Sequence, residues 1–250
     1  MNSCCGRLAC FGIVLLAFLA PAGADSACDQ SEAFAIDNSP CGESEAFAID
    51  NRVIAVAWRS VRTHTAPVGS APGACGNPPK ELAIELDASV TPDPDVTVET
   101  RVGGVRKIEV DFNDPVAQVT GTIQATGERF MPVVADSATL TNGGQTLEIL
   151  FNNGLPNEDC WTIDLAGHIP YLTGDTDCRV KALTGDIDRG GAGMGTITIG
   201  DAIAVNQHYN GHNPCTGPDA VQADVDCNGT ITIGDAITVN QYNGRRASCE

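Results

Sequence analysis

Carboxylates near the C-terminus have the types and the spacing of a cation-binding loop. In segment 224–235, oxygen-bearing side chains occupy positions 1, 3, 5 and 12, and a glycine occupies position 6. Calcium takes about six to eight oxygen ligands, and the glycine permits the sharp turn that wraps such a loop around the ion. The sequence therefore predicts a calcium site whose ligands are Asp224, Asp226, Asn228, the backbone carbonyl of Thr230 at position 7, and Asp235.

The segment that closes this loop occurs twice. Residues 195–207 read GTITIGDAIAVNQ and residues 229–241 read GTITIGDAITVNQ, so the copies differ only at Ala204 and Thr238. Such near-identity indicates one structural unit used twice. We expect each copy to contain a short helix, and a shared apolar core formed by Ile197, Ile203, Val205, Ile231, Ile237 and Val239.

The loop before the first copy departs from the pattern. Its candidate ligands are Asp186, Asp188, Thr196 (through its carbonyl) and Asp201. Four extra residues separate Asp188 from Gly195, and Met194 falls where the ligand at position 5 should be. Two interpretations stay open: a second calcium site, or a degenerate loop that its intact partner supports.

The second loop and its helix resemble the F-hand repeat of dockerin modules. Asp235 stands at position 12 in place of glutamate, and AITVNQY follows it. Dockerins contain paired calcium loops, each followed by one helix, and bind cohesin domains in assemblies that degrade polysaccharides. The resemblance covers residues 184–244 and implies Ca²⁺ as the cofactor. It also implies a protein partner, either cohesin-like or a dedicated surface receptor.

The partner surface that this resemblance implies has unusual residues. Positions 10 and 11 of each dockerin loop, often Ser-Thr, begin the surface that contacts cohesin. This chain has Ile199-Gly200 and Ile233-Gly234 there. We therefore expect standard cohesins not to bind, and a dedicated partner to contact Ile199 and Ile233.

The N-terminal segment 1–24 has the three parts of a secretory signal. Arg7 precedes an apolar run, and Ala22-Gly23-Ala24 offers a cleavage site. The run is too short to span a bilayer comfortably, which argues against a membrane span. We expect a secreted, extracellular protein, in solution or at the cell surface. A net charge of −18 argues against nucleic acid as a partner, because the phosphate backbone is negative as well.

The cysteine content fits an oxidising compartment. Three of the eleven cysteines lie in the signal, and the remaining even number indicates disulfides. Cys160 and Cys178 flank a predicted strand and its return, and are the best candidate pair. The other six form two groups of three, so either one bridge crosses between the groups or one thiol in each stays free. The groups are Cys28, Cys41 and Cys75, and Cys215, Cys227 and Cys249.

Apolar and polar residues alternate through most of segment 52–166. Ile108, Val110 and Phe112 share one strand face, and turn residues such as Asn142-Gly143-Gly144 separate the strands. Ile54, Val56 and Trp58 follow the same rule. The alternation predicts an antiparallel sandwich. VRKIEVDFNDPV and LTNGGQTLEILFNNGLPNEDCWTIDL are similar to bacterial immunoglobulin-like domains, which implies a spacer or adhesive module without catalysis.

The sequence as a whole predicts a mostly β protein: an antiparallel Ig-like β-sandwich with a small α-helical, paired calcium-loop module at the C-terminus. The predicted parts are a signal peptide (1–24), partly ordered N-terminal strands and loops (25–90), the Ig-like sandwich (91–183) and the dockerin-like repeats (184–250). Because no catalytic motif is found, the favoured function is a secreted, non-catalytic, calcium-binding attachment protein. The alternatives are a small extracellular glycoside hydrolase, and a structural cell-surface or matrix protein with a calcium-stiffened cap.

Overall fold

The computed structural model describes residues 52–72, 74–86, 97–187 and 195–249. These residues belong to one unit of the chain, Asp50–Glu250. The predicted signal peptide, Cys28, Cys41 and the candidate ligand Asp188 lie outside the described residues.

Eleven strands in the described residues form two sheets. They are β1 (Val53–His64), β2 (Lys80–Leu86), β3 (Val98–Glu99), β4 (Lys107–Phe112), β5 (Gln124–Gly127), β6 (Val133–Val134), β7 (Ser137–Thr141), β8 (Thr146–Leu150), β9 (Asp159–Asp164), β10 (Leu172–Thr173) and β11 (Asp177–Ala182). One sheet has the order β10-β1-β4-β8-β7, with β2 also paired to β1, and the other has the order β3-β11-β9-β5-β6. Most pairs are antiparallel, but β1 pairs with β10, and β3 with β11, in parallel.

Apolar and polar residues alternate along the strands, and the apolar side chains pack into the main core. Ile108, Val110 and Phe112 on β4 are buried, as are Trp161 and Ile163 on β9, and all belong to one apolar cluster. Full burial of each such side chain contributes about 1.5–3 kcal/mol. The prediction of a mostly β protein is confirmed, and the two sheets are consistent with a β-sandwich. The predicted boundary at residue 90 divides strands of one sheet, because β1 pairs with β4.

A bulge in β1 changes which of its residues face the core. The register against β4 shifts between Ala55 and Ala57, so Val56 is an extra residue in the strand. Trp58 is buried, whereas Ile54 and Val56 are 40% and 60% exposed. The prediction that all three share one face is therefore wrong.

In the part of the chain that the structure describes, three α-helices follow the strands: α1 (Ile199–Ala204), α2 (Pro218–Ala223) and α3 (Ile233–Gln241). The chain continues from α1 through a wider helical turn, Val205–Tyr209. Thr198 and Thr232 begin α1 and α3 with capping boxes, in which the third helical residue is an aspartate. None of the described helices has the length and apolar character needed to cross a membrane.

A second core lies beneath the repeats, and it differs in part from the prediction. Ile197, Val205, Ile231 and Val239 are buried there. Ile203 and Ile237 were predicted to join them but are 45% and 55% exposed. Residues two positions apart on a helix point about 200° apart, so burial of Val205 and Val239 turns Ile203 and Ile237 outward.

Two disulfides among the described cysteines connect distant parts of the chain: Cys75–Cys215 and Cys160–Cys249. The predicted Cys160–Cys178 pair is wrong. Cys178 lies opposite Ile163 and faces the core, whereas Cys160 alternates with the core-facing residues of β9 and lies on the other face. Cys75–Cys215 crosses between the two cysteine groups, as one alternative expected. Neither alternative expected the rest, because Cys249 bonds outside its group and Cys227 stays free. Cys178 and Cys227 are buried free thiols.

Candidate functional site

The candidate site is acidic loop 2, which we define as residues 224–235; it follows α2 and includes the first turn of α3. Carboxylate oxygens of Asp224, Asp226 and Asp235 lie within 4.8 Å of one another. Asp224 and Asp235 are buried, whereas Asp226 is exposed. Like charges this close repel one another strongly, and a cation held between them would remove that repulsion.

Hydrogen bonds within the loop explain why it folds around its acidic residues. Asp224 Oδ1 accepts the Asn228 N–H at 3.1 Å, and Asp224 Oδ2 accepts the Gly229 N–H at 2.9 Å. Gly229 has φ +80°, a conformation that costs other residue types energy. Asp235 Oδ2 accepts the Thr232 N–H at 2.9 Å, so the last acidic residue of the loop also caps α3.

The loop disfavours the ionised forms of the Asp226 and Asp235 carboxyls. Burial raises the pKa of Asp235 to about 6; hydrogen bonding from the Thr232 N–H opposes this rise, and the charges of Asp226 and Asp224 add to it. Burial also raises the pKa of Asp226, against the hydrogen bonds from Asn228 and together with the charge of Asp224. A divalent cation would reverse this preference.

The other two predicted ligands lie beside the cluster. The Asn228 amide donates through Nδ2 to Asp226 Oδ2 at 2.7 Å. Its Oδ1 accepts the Thr230 N–H at 2.9 Å and the Thr230 hydroxyl at 2.5 Å. The donors available in this loop are carboxylate, amide and backbone oxygens, which suit a hard cation such as calcium or magnesium.

Acidic loop 1, residues 186–201, repeats part of this arrangement. Asp186 Oδ2 accepts the Gly195 N–H at 2.7 Å. Asp201 caps α1, and accepts the N–H groups of Ile187 and Thr198 at 2.8 Å each. Among the described residues, Asp186 and Asp201 belong to no group of three metal-ligating side chains. Of the other predicted ligands in this loop, Thr196 pairs with Arg246 in an isolated bridge.

The duplicated helices present an exposed apolar surface. Ile199, Ile203, Ile233 and Ile237 are 56%, 45%, 54% and 55% exposed. They line an open groove of about 210 Å³, which we call the isoleucine groove. The rest of its lining is Ala202, Asn206, Ala236 and Asn240, so the described part of the chain contributes no charged side chain to it. The two predicted partner contacts, Ile199 and Ile233, thus lie in one groove.

One contact of acidic loop 2 was missed by sequence reasoning. His64 Nδ1, at the end of β1, lies 2.6 Å from Asp224 Oδ2, and neither side chain is exposed. The two residues are 160 positions apart, and no local pattern marks His64.

Glu128, Cys160 and Cys249 also converge in the described residues, but the two sulfurs form a disulfide and are not available to a metal. Comparison with protein-family models and with curated protein sequences finds no match to this chain.

Proposed function

We propose that this is a secreted, non-catalytic protein whose acidic loop 2 binds calcium and whose duplicated helices attach it to a protein partner. The convergence of Asp224, Asp226 and Asp235 within 4.8 Å carries the proposal. We also propose that residues 184–250 form a dockerin-like module and that the strands form an Ig-like domain. The disulfides support export, because such bonds persist in oxidising compartments.

The loop supplies a donor set that fits calcium. Asp224, Asp226, Asp235, the Asn228 side chain and the Thr230 carbonyl would hold the ion. Bound calcium supplies positive charge that neutralises the clustered carboxylates. Because the ion binds the folded loop and not the unfolded chain, its binding adds to the free energy of unfolding.

Calcium and partner binding are connected through Asp235. This residue ends acidic loop 2 and also caps α3, which forms part of the isoleucine groove. Through Asp235, a bound ion would be linked to the first turn of that helix. We therefore propose that the partner binds more tightly in the presence of calcium.

The groove selects a folded protein with an apolar, uncharged contact surface. The described residues that line it carry no charge although the chain carries a net charge of −18, so desolvation of these side chains does not oppose contact. The four isoleucines are about half exposed. Covering them would contribute about 3–6 kcal/mol before the costs of association.

Calorimetric titration of the full chain with calcium, after chelation, tests the ion site. We expect at least one site in the wild type and weaker binding in Asp226→Asn, which removes one exposed carboxylate of the cluster. Asp175→Asn removes an exposed carboxylate outside the cluster and should bind as the wild type does. No heat above background at millimolar calcium would reject the assignment.

Site-specific photo-crosslinking tests the attachment surface. A crosslinker at Ile237 should capture one partner in calcium and less in chelator, whereas one at Val56, exposed on β1, should not. The partner is then purified and titrated. Ile233→Asp alone should weaken its binding in part, and the double change with Ile199→Asp should abolish it. Unchanged binding by the double variant would place the interface elsewhere.

A second candidate function, a calcium-stiffened structural cap, is favoured by contacts between acidic loop 2 and the strand region. The Thr65 N–H donates to the Cys227 carbonyl at 3.0 Å, and the Val102 N–H donates to the Val225 carbonyl at 2.8 Å. A cap requires calcium-dependent stability but no partner. Crosslinking at Ile237 therefore separates the two functions.

A further inference from the structure

We infer that His64 is a positioning residue for the proposed calcium site, so that β1 forms part of the site although it lies 160 residues away in sequence. This inference rests on the proposed function of acidic loop 2. It adds a residue that the loop pattern does not contain, and it assigns the strand region a role in ion binding.

The neighbours of His64 indicate which of its ring nitrogens donates and which accepts. Arg101 Nη1 lies 3.4 Å from His64 Nε2. A guanidinium only donates hydrogen bonds, so Nε2 must act as the acceptor. The ring proton is then on Nδ1, and His64 donates it to Asp224 Oδ2 at 2.6 Å.

This hydrogen bond determines which oxygen of Asp224 is available to an ion. Among the described residues, Oδ2 accepts the N–H groups of His64 and Gly229, whereas the one N–H group that donates to Oδ1 is that of Asn228. His64 therefore holds the carboxylate so that Oδ1 keeps a lone pair for the ion. Outer partners of this kind orient metal ligands, and their loss typically weakens metal binding about 10- to 100-fold.

His64 is itself held by a buried polar network. Arg101 donates to Glu99 at 2.7 Å, and to the carbonyls of Leu82 and Ser60 at 2.9 and 3.0 Å. The Ser60 hydroxyl also donates to Glu99. Burial alone would raise the pKa of Glu99, but the charge and hydrogen bonds of Arg101 and the Ser60 bond outweigh it, and the pKa is lowered. The network thus keeps the Arg101–Glu99 ion pair charged and His64 fixed in place.

Two substitutions of His64 separate the effect of its hydrogen bond from the effect of its size. His64→Asn can place an amide N–H where Nδ1–H lies, whereas His64→Leu fills similar space without a donor. In calorimetry on the full chain at neutral pH, we expect calcium binding about 10- to 100-fold weaker in His64→Leu. His64→Asn should stay within about threefold of the wild type, since the donor is kept. Ile108→Val, a core change on β4, should lower the melting temperature and leave calcium affinity unchanged.

The outcomes distinguish this inference from the proposed function. If the wild type binds no calcium, the proposed function fails, and the inference fails with it. If the wild type binds and folded His64→Leu binds equally well, the positioning role is overturned and the calcium site stands. If circular dichroism shows that His64→Leu does not fold, His64→Gln is measured in its place. The longer glutamine side chain moves the amide away from the Nδ1 position. Equal affinities of the Asn and Gln variants would then overturn the inference.

Discussion

Replacing Gly229 with alanine tests how closely acidic loop 2 contacts the segment around Cys75. Gly229 has φ +80°, and this left-handed conformation costs an alanine about 1–2 kcal/mol. A Cβ there would lie 2.0 Å from the Cys75 carbonyl oxygen and 2.8 Å from the carbonyl carbon. Because the obstacle is backbone, relief requires movement of the chain, and overpacking of this kind costs about 1–3 kcal/mol. Gly229→Ala should therefore lower the free energy of unfolding by about 2–5 kcal/mol.

Gly211 provides a matched control for the conformational part of that cost. It has the same φ of +80°, and a Cβ there would have nothing within 4 Å. Gly211→Ala should thus cost only about 1–2 kcal/mol. In thermal unfolding with chelator, 1 kcal/mol corresponds to roughly 2–4 °C for a chain of this size. The melting temperature of Gly229→Ala should then lie roughly 2–12 °C below that of Gly211→Ala. Equal melting temperatures would refute the close approach of the loop to Cys75.

Three further outcomes are expected. Because the pKa of Asp235 is raised from 3.8 to about 6 in the folded, calcium-free protein, the folded state retains a proton that the unfolded chain has lost between those values. This term lowers stability as pH rises through that window. In thermal unfolding with chelator, the stability of Asp235→Asn relative to the wild type should increase from pH 4 to pH 7. A stability difference that does not change with pH would contradict this. Burial raises the pKa of the Cys178 and Cys227 thiols, that of Cys227 to about 12. Alkylating reagents should therefore label neither thiol until the protein unfolds, as peptide mapping can check. Rapid labelling of the native protein would show that the thiols are accessible. Removal of the Cys75–Cys215 bridge by a Ser pair should cost about 2–5 kcal/mol in denaturant unfolding, and an unchanged midpoint would argue against the bridge.

The features that sequence reasoning predicted depend on neighbours within a few residues. Asp224, Asp226 and Asp235 converge because a loop of this length with a turn at Gly229 can bring its own ends together. The buried face of β4 follows from alternation of residue types. In both cases the relevant contacts are local or repeat with a fixed period, so one sequence contains the information.

The features that were missed depend on how distant segments meet. Cys160 bonds with a cysteine 89 residues away, which spacing around a single strand could not indicate. His64 contacts Asp224 only because β1 ends beside acidic loop 2. The outward direction of Ile203, in contrast, does not depend on a distant segment. Helical geometry excludes it from the face of Val205, so a stricter use of the helical period would have predicted its exposure.

Diffraction from crystals of the full chain grown with calcium tests the central claim most directly, because the anomalous signal locates the ion. We predict a peak between the carboxylates of Asp224, Asp226 and Asp235, with oxygen ligands at about 2.3–2.6 Å and Asp224 bound through Oδ1. No peak at this cluster in crystals grown at millimolar calcium, with the loop ordered, would contradict the account.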